Sequence, residues 1–312
     1  MELKYLDGLM GFAIGDAMGV PLEFKSRREL LTNPVTKMIG NGTYNLPAGV
    51  WSDDTSMLIA TIDSVNNKNG FDYDDIALNF VAFKNHARYT ALNDVFDIGT
   101  TCSKAIAKYD EERENPCLCG LDDMNSNGNG SLMRILPVAY YALAKKLNDE
   151  EIYELVRDLS SITHRHEISI MGCLIYVRYA MFLLTGKDKF SAYNMVKIVD
   201  YSMFSEETRK YYERLLHSDI SRLTIDDIKS SRFVVDTLEA AIWVLLKSET
   251  FKEAIIGAIN LGEDTDTIGA ITGAIAGITY GYDSIPGEWL DGIARKDYLM
   301  DIFEEFSENK YE

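Results

Sequence analysis

Residues 262–281 read Gly-Glu-Asp-Thr-Asp-Thr-Ile-Gly-Ala-Ile-Thr-Gly-Ala-Ile-Ala-Gly-Ile-Thr-Tyr-Gly. From Gly269 to Gly281 a glycine recurs at every fourth position, which on a helix leaves one face without side chains. Each glycine costs a helix up to about 1 kcal/mol relative to alanine, so close contact with a neighbouring helix backbone must compensate. A membrane dimerisation motif is disfavoured because the run is short and begins with three acidic residues. The stretch therefore predicts a helix over residues 264–280 in tight soluble packing.

Helical periodicity also dominates the rest of the chain, whereas alternating β-branched runs and hairpin turns are scarce. The other segments with a helical pattern are residues 53–65, 72–88, 94–108, 131–147, 149–162, 167–184, 190–201, 206–216, 234–247, 251–259 and 296–306. No fixed repeat, low-complexity tract or long linker separates them. We therefore expect an all-α fold in one compact domain over residues 1–312.

Composition restricts the partners and the location of the protein. The 312 residues are 46% hydrophobic, enough for a sizeable core, and 31 basic against 49 acidic residues give a net charge of −18. Such a surface repels anionic membranes and nucleic acid, so neither is an expected partner. The N-terminus lacks a signal pattern, and no uncharged apolar run is long enough to span a bilayer. Four cysteines are too few for a disulfide framework, so we expect a reduced, cytoplasmic protein, with a monomer as the default.

Two short acidic clusters carry the clearest chemical signal. Residues 52–55 read Ser-Asp-Asp-Thr and residues 264–267 read Asp-Thr-Asp-Thr, each directly before an apolar helical run. Carboxylates and hydroxyls are hard oxygen ligands, so the clusters could hold two divalent cations if folding brings them together. Ordinary helix capping is the alternative for either cluster alone, and capping and metal binding are compatible. An EF-hand is excluded because Ile268 and Ile275 occupy its fifth and twelfth positions.

Four further motifs have weaker signals on their own. In residues 11–23, Pro21 stops a helix of small residues and places Glu23 just past the turn. Residues 127–134, Asn-Gly-Asn-Gly-Ser-Leu-Met-Arg, combine flexible glycines with a helix start whose free N–H groups suit a phosphate. The remaining two are residues 97–101, Asp-Ile-Gly-Thr-Thr, and residues 163–166, Thr-His-Arg-His.

Together and in this order, the motifs resemble the ADP-ribosylglycohydrolase family, which includes the dinitrogenase reductase-activating glycohydrolases. The resemblance extends from about Gly8 to Gly281 and is most specific at residues 52–55, 128–134 and 264–270. It implies a compact, single-domain orthogonal helical bundle with a binuclear centre of Mg²⁺ or Mn²⁺. It also implies hydrolysis of the glycosidic bond between ADP-ribose and a modified acceptor, an arginine side chain of a protein being the favoured one.

The resemblance also assigns roles to individual residues. The implied metal ligands are Ser52, Asp53, Asp54, Asp264, Asp266 and Thr267. The implied catalytic acids are Glu23, beside the scissile bond, and Asp97, near the distal ribose. The residues implied to bind ADP-ribose are Asn129, Gly130, Ser131, Met133 and His164. His166 is expected to be structural or exposed. One departure is Glu263, where the family usually has glycine and where a side chain could narrow the cleft.

The expected mechanism follows from these residue types. The cations would bind the vicinal hydroxyls of the distal ribose and acidify a water, Glu23 would act as acid/base with Asp97 as the alternative, and the phosphates would lie at the helix start near Arg134. Two other functions remain open: an ADP-ribose-binding module without activity, and a metal-dependent nucleotide phosphohydrolase. The acceptor linkage, the physiological target and the choice between Mg²⁺ and Mn²⁺ also stay open at this stage.

Overall fold

The computed structural model describes residues 4–308, and sixteen α-helices carry the fold in this range. In chain order they are α1 (Tyr5–Gly19), α2 (Arg27–Thr32), α3 (Asp53–Lys68), α4 (Tyr73–His86), α5 (Thr100–Glu112), α6 (Pro137–Lys145), α7 (Asp149–Ser161), α8 (Glu167–Leu184), α9 (Lys189–Val196), α10 (Glu206–Tyr211), α11 (Glu213–His217), α12 (Val234–Lys247), α13 (Phe251–Ile259), α14 (Thr265–Tyr280), α15 (Gly287–Gly292) and α16 (Lys296–Glu308). Isolated bridges are the only β-structure between residues 4 and 308, which confirms the all-α prediction.

α1 and α14 pack backbone against backbone at the centre of the molecule. A Cβ atom added to Gly15 would lie 1.9 Å from the carbonyl oxygen of Gly269, and one added to Gly273 would lie 2.1 Å from that of Gly11. These spacings leave no room for any side chain, so the contact explains why glycine recurs on both helices. The close approach predicted from the repeat is therefore confirmed.

Gly281 does not belong to this contact face, although it continues the spacing of four. It follows the last residue of α14 with a φ of +86°, and nothing lies within 4 Å of an added Cβ. Glycine adopts this left-handed conformation without a steric penalty, so here it ends the helix. The repeat thus contains two uses of glycine, close packing at three positions and termination at the fourth.

α8 lies in the core beside this pair and is buried along most of its length. It has a mean hydropathy of 1.6 over 18 residues, and among residues 4–308 it is the one helix long and apolar enough to cross a bilayer. Of this window, 83% is buried inside the protein, as is typical of a core helix. An uncharged apolar run was the sequence criterion for a membrane span, and α8 does not meet it because it contains Glu167 and Arg178.

Three predicted helices have the bounds of the structure, α8, α12 and α13, whereas four are wrong in part. The helix predicted over residues 190–201 ends at Val196, and the one predicted over residues 206–216 divides into α10 and α11 at Tyr212. Residues 94–99 are not helical, because Phe96 and Ile98 pack against the core and the amide of Gly99 donates to Asp53 Oδ2 over 3.3 Å. Residues 131–147 do not form one helix, since Pro137 lacks an N–H group and begins a new helix. Tertiary contacts and one proline thus override the local pattern.

Candidate active site

The two acidic clusters meet where the N-termini of α3 and α14 lie side by side. Thr267 Oγ1 donates to Asp54 Oδ2 over 3.4 Å, although the two residues are 213 positions apart. Asp53, Asp54, Asp264 and Asp266 are each at most 6% exposed and line one cavity of about 760 Å³, including its part open to solvent. The other charged side chains that line it are Glu23, Asp97 and Arg232. The folded chain therefore gathers six carboxyl groups in one pocket.

Asp54 shows that this pocket suits a cation. Ser52 Oγ accepts from the amide of Asp54 and donates to Asp54 Oδ2, both over 3.2 Å, so Ser52 caps α3 and fixes the carboxylate. Asp54 Oδ1 is buried and has no hydrogen-bond partner within the described part of the chain. Burial, and then the charge of Asp266, hold the pKa of Asp54 well above its usual range. A bound cation would satisfy the free oxygen and offset both effects.

Asp264 is held in place by Asn129, a residue of the loop predicted to bind ADP-ribose. Its Oδ2 accepts from Asn129 Nδ2 over 2.5 Å, and the same amide nitrogen donates to Thr237 Oγ1 over 2.9 Å. Burial raises the pKa of Asp264 to about 6. Asn129 was predicted to bind ADP-ribose, and its amide also orients a predicted metal ligand.

Glu23, Asp97 and Asp266 face one another, with one carboxylate oxygen of each within 4.8 Å of the others. Sequence resemblance assigned metal binding to Asp266 alone among these three. Glu23 Oε2 accepts from the Tyr44 hydroxyl and Oε1 from Arg232, so both of its oxygens are held. Burial, and then the nearby Asp97 charge, raise the pKa of Glu23 to about 7. A carboxyl group with that pKa can both donate and accept a proton at neutral pH.

Asp16 on α1 holds the first acidic cluster in place, a role that the sequence reading did not assign. Its fully buried carboxylate accepts from the amides of Ser52 and Thr55, each over 3.0 Å, and from Thr55 Oγ1 over 2.6 Å. Burial raises the pKa of Asp16 to about 6, while the hydrogen bonds from Thr55 and Ser52 oppose that effect. The sequence signal that could have identified Asp16 is an aspartate between Gly15 and Ala17 in a helix of mostly apolar residues.

Arg232 is the second functional candidate that sequence reasoning missed. The amide of Asn129 donates to its carbonyl over 3.1 Å, so its backbone runs beside the predicted ADP-ribose loop. Its guanidinium pairs with Glu23, lies 3.4 Å from Asp264 Oδ1, and stacks 4.5 Å from the centre of the Phe24 ring. No local motif marks this residue, because every partner comes from a distant segment.

The predicted ADP-ribose residues divide into two groups. The residues of this set that line the cavity are Asn129, Gly130, Met133 and His164. An added Cβ at Gly130 would lie 2.8 Å from His164 Cε1, so the loop needs glycine there. Ser131 does not line the cavity: it is fully buried and accepts from Ser160 Oγ over 2.9 Å. The Ser131 hydroxyl therefore belongs to the core, and the predicted role of Ser131 in holding ADP-ribose rests on its backbone.

Arg134, which is expected near the phosphates, does not line the cavity. Arg134 is fully buried, donates to the Leu159 carbonyl over 3.0 Å and to Thr163 Oγ1 over 2.7 Å, and stacks 4.8 Å from the Phe80 ring centre. Residues 132–134 form a single 3₁₀ turn, so no extended helix begins at Ser131 to bind an anion.

The two neighbouring histidines have separate functions. His164 lines the cavity at 1% exposure, and burial, followed by the Arg134 charge, lowers its pKa to about 3. It therefore meets a ligand as a neutral ring. His166 Nδ1 accepts from the amide of Ile168 over 3.2 Å and caps α8, which confirms its structural assignment.

The side chain of Glu263, which could have narrowed the cleft, is exposed and does not line the cavity. Its backbone explains the glycine that is usual here in the family. Glu263 has a φ of +64° after Gly262 at +80°, a left-handed conformation that disfavours side chains. Phe24, the residue paired with it, has a φ of +66° and is 59% exposed at the mouth of the cavity.

Comparison with known proteins agrees with this geometry. The family model described as ADP-ribosylglycohydrolase matches residues 2–312. The chain is 32% identical to ADP-ribosylarginine hydrolase Tri1 of Pseudomonas putida (strain GB-1), over 95% of this chain and 76% of that protein. It is 30% identical to the ADP-ribosyl-[dinitrogen reductase] glycohydrolase of Rhodospirillum rubrum, over 94% of this chain and 91% of that protein.

A solved structure shares the fold. It is described as an ADP-ribosylglycohydrolase-related protein complex and superposes with a TM-score of 0.82 at 24% identity, covering 98% of this chain and 97% of that one. Fold, family model and relatives agree over nearly the full length. The chain belongs to the ADP-ribosylglycohydrolase family.

Proposed function

We propose that the protein is a divalent-metal-dependent hydrolase that releases ADP-ribose from ADP-ribosylated arginine side chains of proteins. The observation that carries the metal part is Asp54, whose buried Oδ1 has no partner in the described residues and lies where the two acidic clusters meet. A buried, unpaired carboxylate oxygen among other acids is costly unless a cation binds it. The donor set contains oxygen alone, which suits Mg²⁺ or Mn²⁺.

The residues that would hold two such cations are Ser52, Asp53, Asp54, Asp264, Asp266 and Thr267. When bound there, the cations supply Lewis acidity and a template for the vicinal hydroxyls of the distal ribose. Asp16 and Asn129 keep the two halves of this set in place through their hydrogen bonds to residues 52–55 and to Asp264.

Glu23 is the proton-transfer group of the proposed reaction. A water oxygen forms a bond to the anomeric carbon, and its proton passes to Glu23. The bond from that carbon to the guanidine nitrogen breaks, the electron pair leaves with the nitrogen, and Glu23 returns the proton to that nitrogen, which restores the guanidinium and the Glu23 carboxylate. Tyr44 holds Glu23 for this role, and Asp97 stands beside it as the alternative acid.

Two observations support an arginine acceptor. Two relatives, 32% and 29% identical over most of this chain, carry the name ADP-ribosylarginine hydrolase. The net charge of −18 and the carboxyl groups of the pocket favour a cationic acceptor over a nucleic-acid end.

The test is mass spectrometry of products from peptides ADP-ribosylated on arginine or on serine and from an ADP-ribosylated oligonucleotide. Each is incubated with Mg²⁺, with Mn²⁺ or with excess chelator. We expect metal-dependent release of intact ADP-ribose from the arginine peptide, its loss in Asp54→Asn, and full activity in Asp301→Asn on the exposed side of α16. Release of AMP or phosphate would identify a phosphohydrolase, and binding without release would identify a reader.

A further inference from the structure

The Arg232 side chain lies inside a site that is chemically built for a guanidinium. It pairs with the carboxylate of Glu23, and its Cζ atom lies 4.5 Å from the centre of the Phe24 ring. A planar cation held between an acidic group and an aromatic face is the usual way in which proteins bind guanidinium groups. Arg232 thus shows which ligand the corner formed by Phe24, Glu23 and Tyr44 accepts.

The backbone of this corner and the carboxylate of Glu23 are fixed from several directions. The Phe24 amide donates to the Glu263 carbonyl over 2.7 Å, and the Glu23 carbonyl accepts from Thr43 Oγ1 over 2.5 Å. Glu23 is 1% exposed, and the Tyr44 hydroxyl binds its second carboxylate oxygen. The acid is therefore in place whichever guanidinium pairs with it, and the Phe24 ring lies beside it with its centre 6.4 Å from that of Tyr44.

Beyond its side-chain contacts with Glu23, Asp264 and Phe24, Arg232 is fixed through its backbone. Its carbonyl accepts from the Asn129 amide, and the next residue but one, Val234, donates to the Asn127 carbonyl, each over 3.1 Å. The side chain is 52% exposed and rests against the mouth of the cavity. Rotation of its side-chain torsions can thus carry the guanidinium into solvent without disturbing the core.

We propose that this corner is the subsite for the guanidinium of the modified arginine, and that Arg232 is an internal competitor which the substrate displaces. The inference rests on the proposed arginine acceptor and adds its recognition site. A cationic, planar acceptor regains the pairing with Glu23 and the stacking on Phe24 that Arg232 gives up. A neutral acceptor such as serine makes neither contact, so Glu23 and Phe24 give this corner its preference for arginine, and Arg232 limits how tightly the arginine acceptor binds.

Binding of agmatine, an alkylguanidinium, to the full chain measured by calorimetry tests this directly. Arg232→Met keeps the aliphatic stem and removes the competing charge, so its affinity for agmatine should rise about three- to tenfold. Arg232→Lys, which keeps the charge without the planar group, should lie between wild type and Arg232→Met. The matched control is Arg222→Met, whose side chain is 86% exposed, and it should leave agmatine binding unchanged.

Two further ligands make the result decisive. 1,4-Diaminobutane carries the same double charge as agmatine without a planar group, and its affinity should change less than that of agmatine. ADP-ribose has no acceptor, and its affinity should be the same in wild type and in Arg232→Met. Weaker agmatine binding in Arg232→Met would overturn the proposal, and so would a loss of ADP-ribose binding, which would make Arg232 a contact for the phosphates.

Because binding needs no turnover, this experiment separates the subsite from the reaction. Tighter agmatine binding in a protein that leaves ADP-ribosylarginine intact would keep the guanidinium subsite and refute the proposed activity. If the arginine peptide is cleaved, Arg232→Met should raise the preference for arginine over serine in kcat/KM, because only the arginine acceptor competes with Arg232 for this corner. An unchanged preference together with unchanged agmatine affinity would refute the competitor role while leaving the activity intact.

Discussion

The backbones of Phe24 and Glu263 are joined by a hydrogen bond of 2.7 Å, although both residues have left-handed φ angles, of 66° and 64°. The Glu263 amide in turn donates to the Lys25 carbonyl over 2.8 Å. This pairing ties the segment after α1 to the loop before α14. Glu23 and Asp264, the sequence neighbours of the pair, are thereby held at the same cavity.

Replacing Glu263 by glycine should remove backbone strain. A left-handed residue with a side chain costs about 1–2 kcal/mol, and glycine loses about 0.5–1 kcal/mol through the entropy of the unfolded chain. We therefore expect Glu263→Gly to change the free energy of unfolding by about 0 to +1 kcal/mol, measured by denaturant titration. Glu304→Gly, in the interior of α16, should lose about 1 kcal/mol. Equal losses in both variants would mean that no strain resides at Glu263.

Replacing Gly269 by alanine should damage both stability and the site. An added Cβ would lie 2.4 Å from the Gly15 carbonyl oxygen, so α1 and α14 must move apart. We expect a loss of about 2–3 kcal/mol or more in the free energy of unfolding, together with weaker Mn²⁺ binding in a titration. Gly287→Ala is the matched control, because nothing lies within 4 Å of an added Cβ there, and it should have little effect on either quantity.

Replacing Asp16 by asparagine should loosen the first acidic cluster. The new amide group would face hydrogen-bond donors from Ser52 and Thr55, which then lose an acceptor. Leaving such buried groups unsatisfied costs about 3 kcal/mol, and a 10- to 100-fold loss in Mn²⁺ affinity is expected from the displaced ligands. Asp123→Asn, an exposed carboxylate that also accepts a backbone amide, should lose less than about 1 kcal/mol. Retained metal affinity in Asp16→Asn would argue against a positioning role.

In chelator, the protein should become less stable as the pH rises. Burial raises the pKa of Asp16 and of Asp264 to about 6, so the folded state binds more protons than the unfolded state above about pH 4. One pKa unit corresponds to about 1.4 kcal/mol, so we expect a loss of about 3 kcal/mol between pH 5 and pH 8, read as a falling Tm. Saturating Mg²⁺ or Mn²⁺ should remove this slope by replacing the protons. A Tm that rises with pH in chelator would contradict the raised pKa values.

Replacing Glu23 by glutamine should abolish proton transfer without removing the ligand site. We expect kcat for release of ADP-ribose to fall about 100- to 10,000-fold while ADP-ribose still binds with an affinity close to that of wild type. Glu29→Gln, on the exposed side of α2, should retain full activity. A kcat within about tenfold of wild type would transfer the acid/base role to Asp97.

The sequence predicted those parts of the site whose signal is local. Residues 52–55 and 264–267 combine carboxylates with a helix start, and the spacing of glycine in α14 requires a close partner helix. Each of these patterns constrains the fold within a few residues, and the structure brings the two acidic clusters into one cavity.

The remaining parts depend on distant segments and could not be predicted in this way. Arg134 and Arg232 are both arginines beside a glycine-containing loop, and nothing local says which one is buried. Phe80 and the carbonyl of Leu159 draw Arg134 into the core, whereas Glu23 and Phe24 bring Arg232 to the cavity. A helical pattern over residues 94–108 likewise could not predict the extended segment that carries Asp97.

The hydrogen bond of 2.8 Å from Thr265 to the Gly19 carbonyl joins residues that are 246 positions apart. During translation at roughly 5–20 residues per second, α1 therefore waits on the order of 10–50 s before its partner helix emerges from the ribosome. During that time α14 does not cover the apolar surface of α1, and the first acidic cluster, residues 52–55, lacks its partner, residues 264–267. A chain that stops before α14 therefore lacks half of the site, and its exposed apolar surface makes it a substrate for chaperones and proteases. Synthesis thus yields either the complete enzyme or no enzyme.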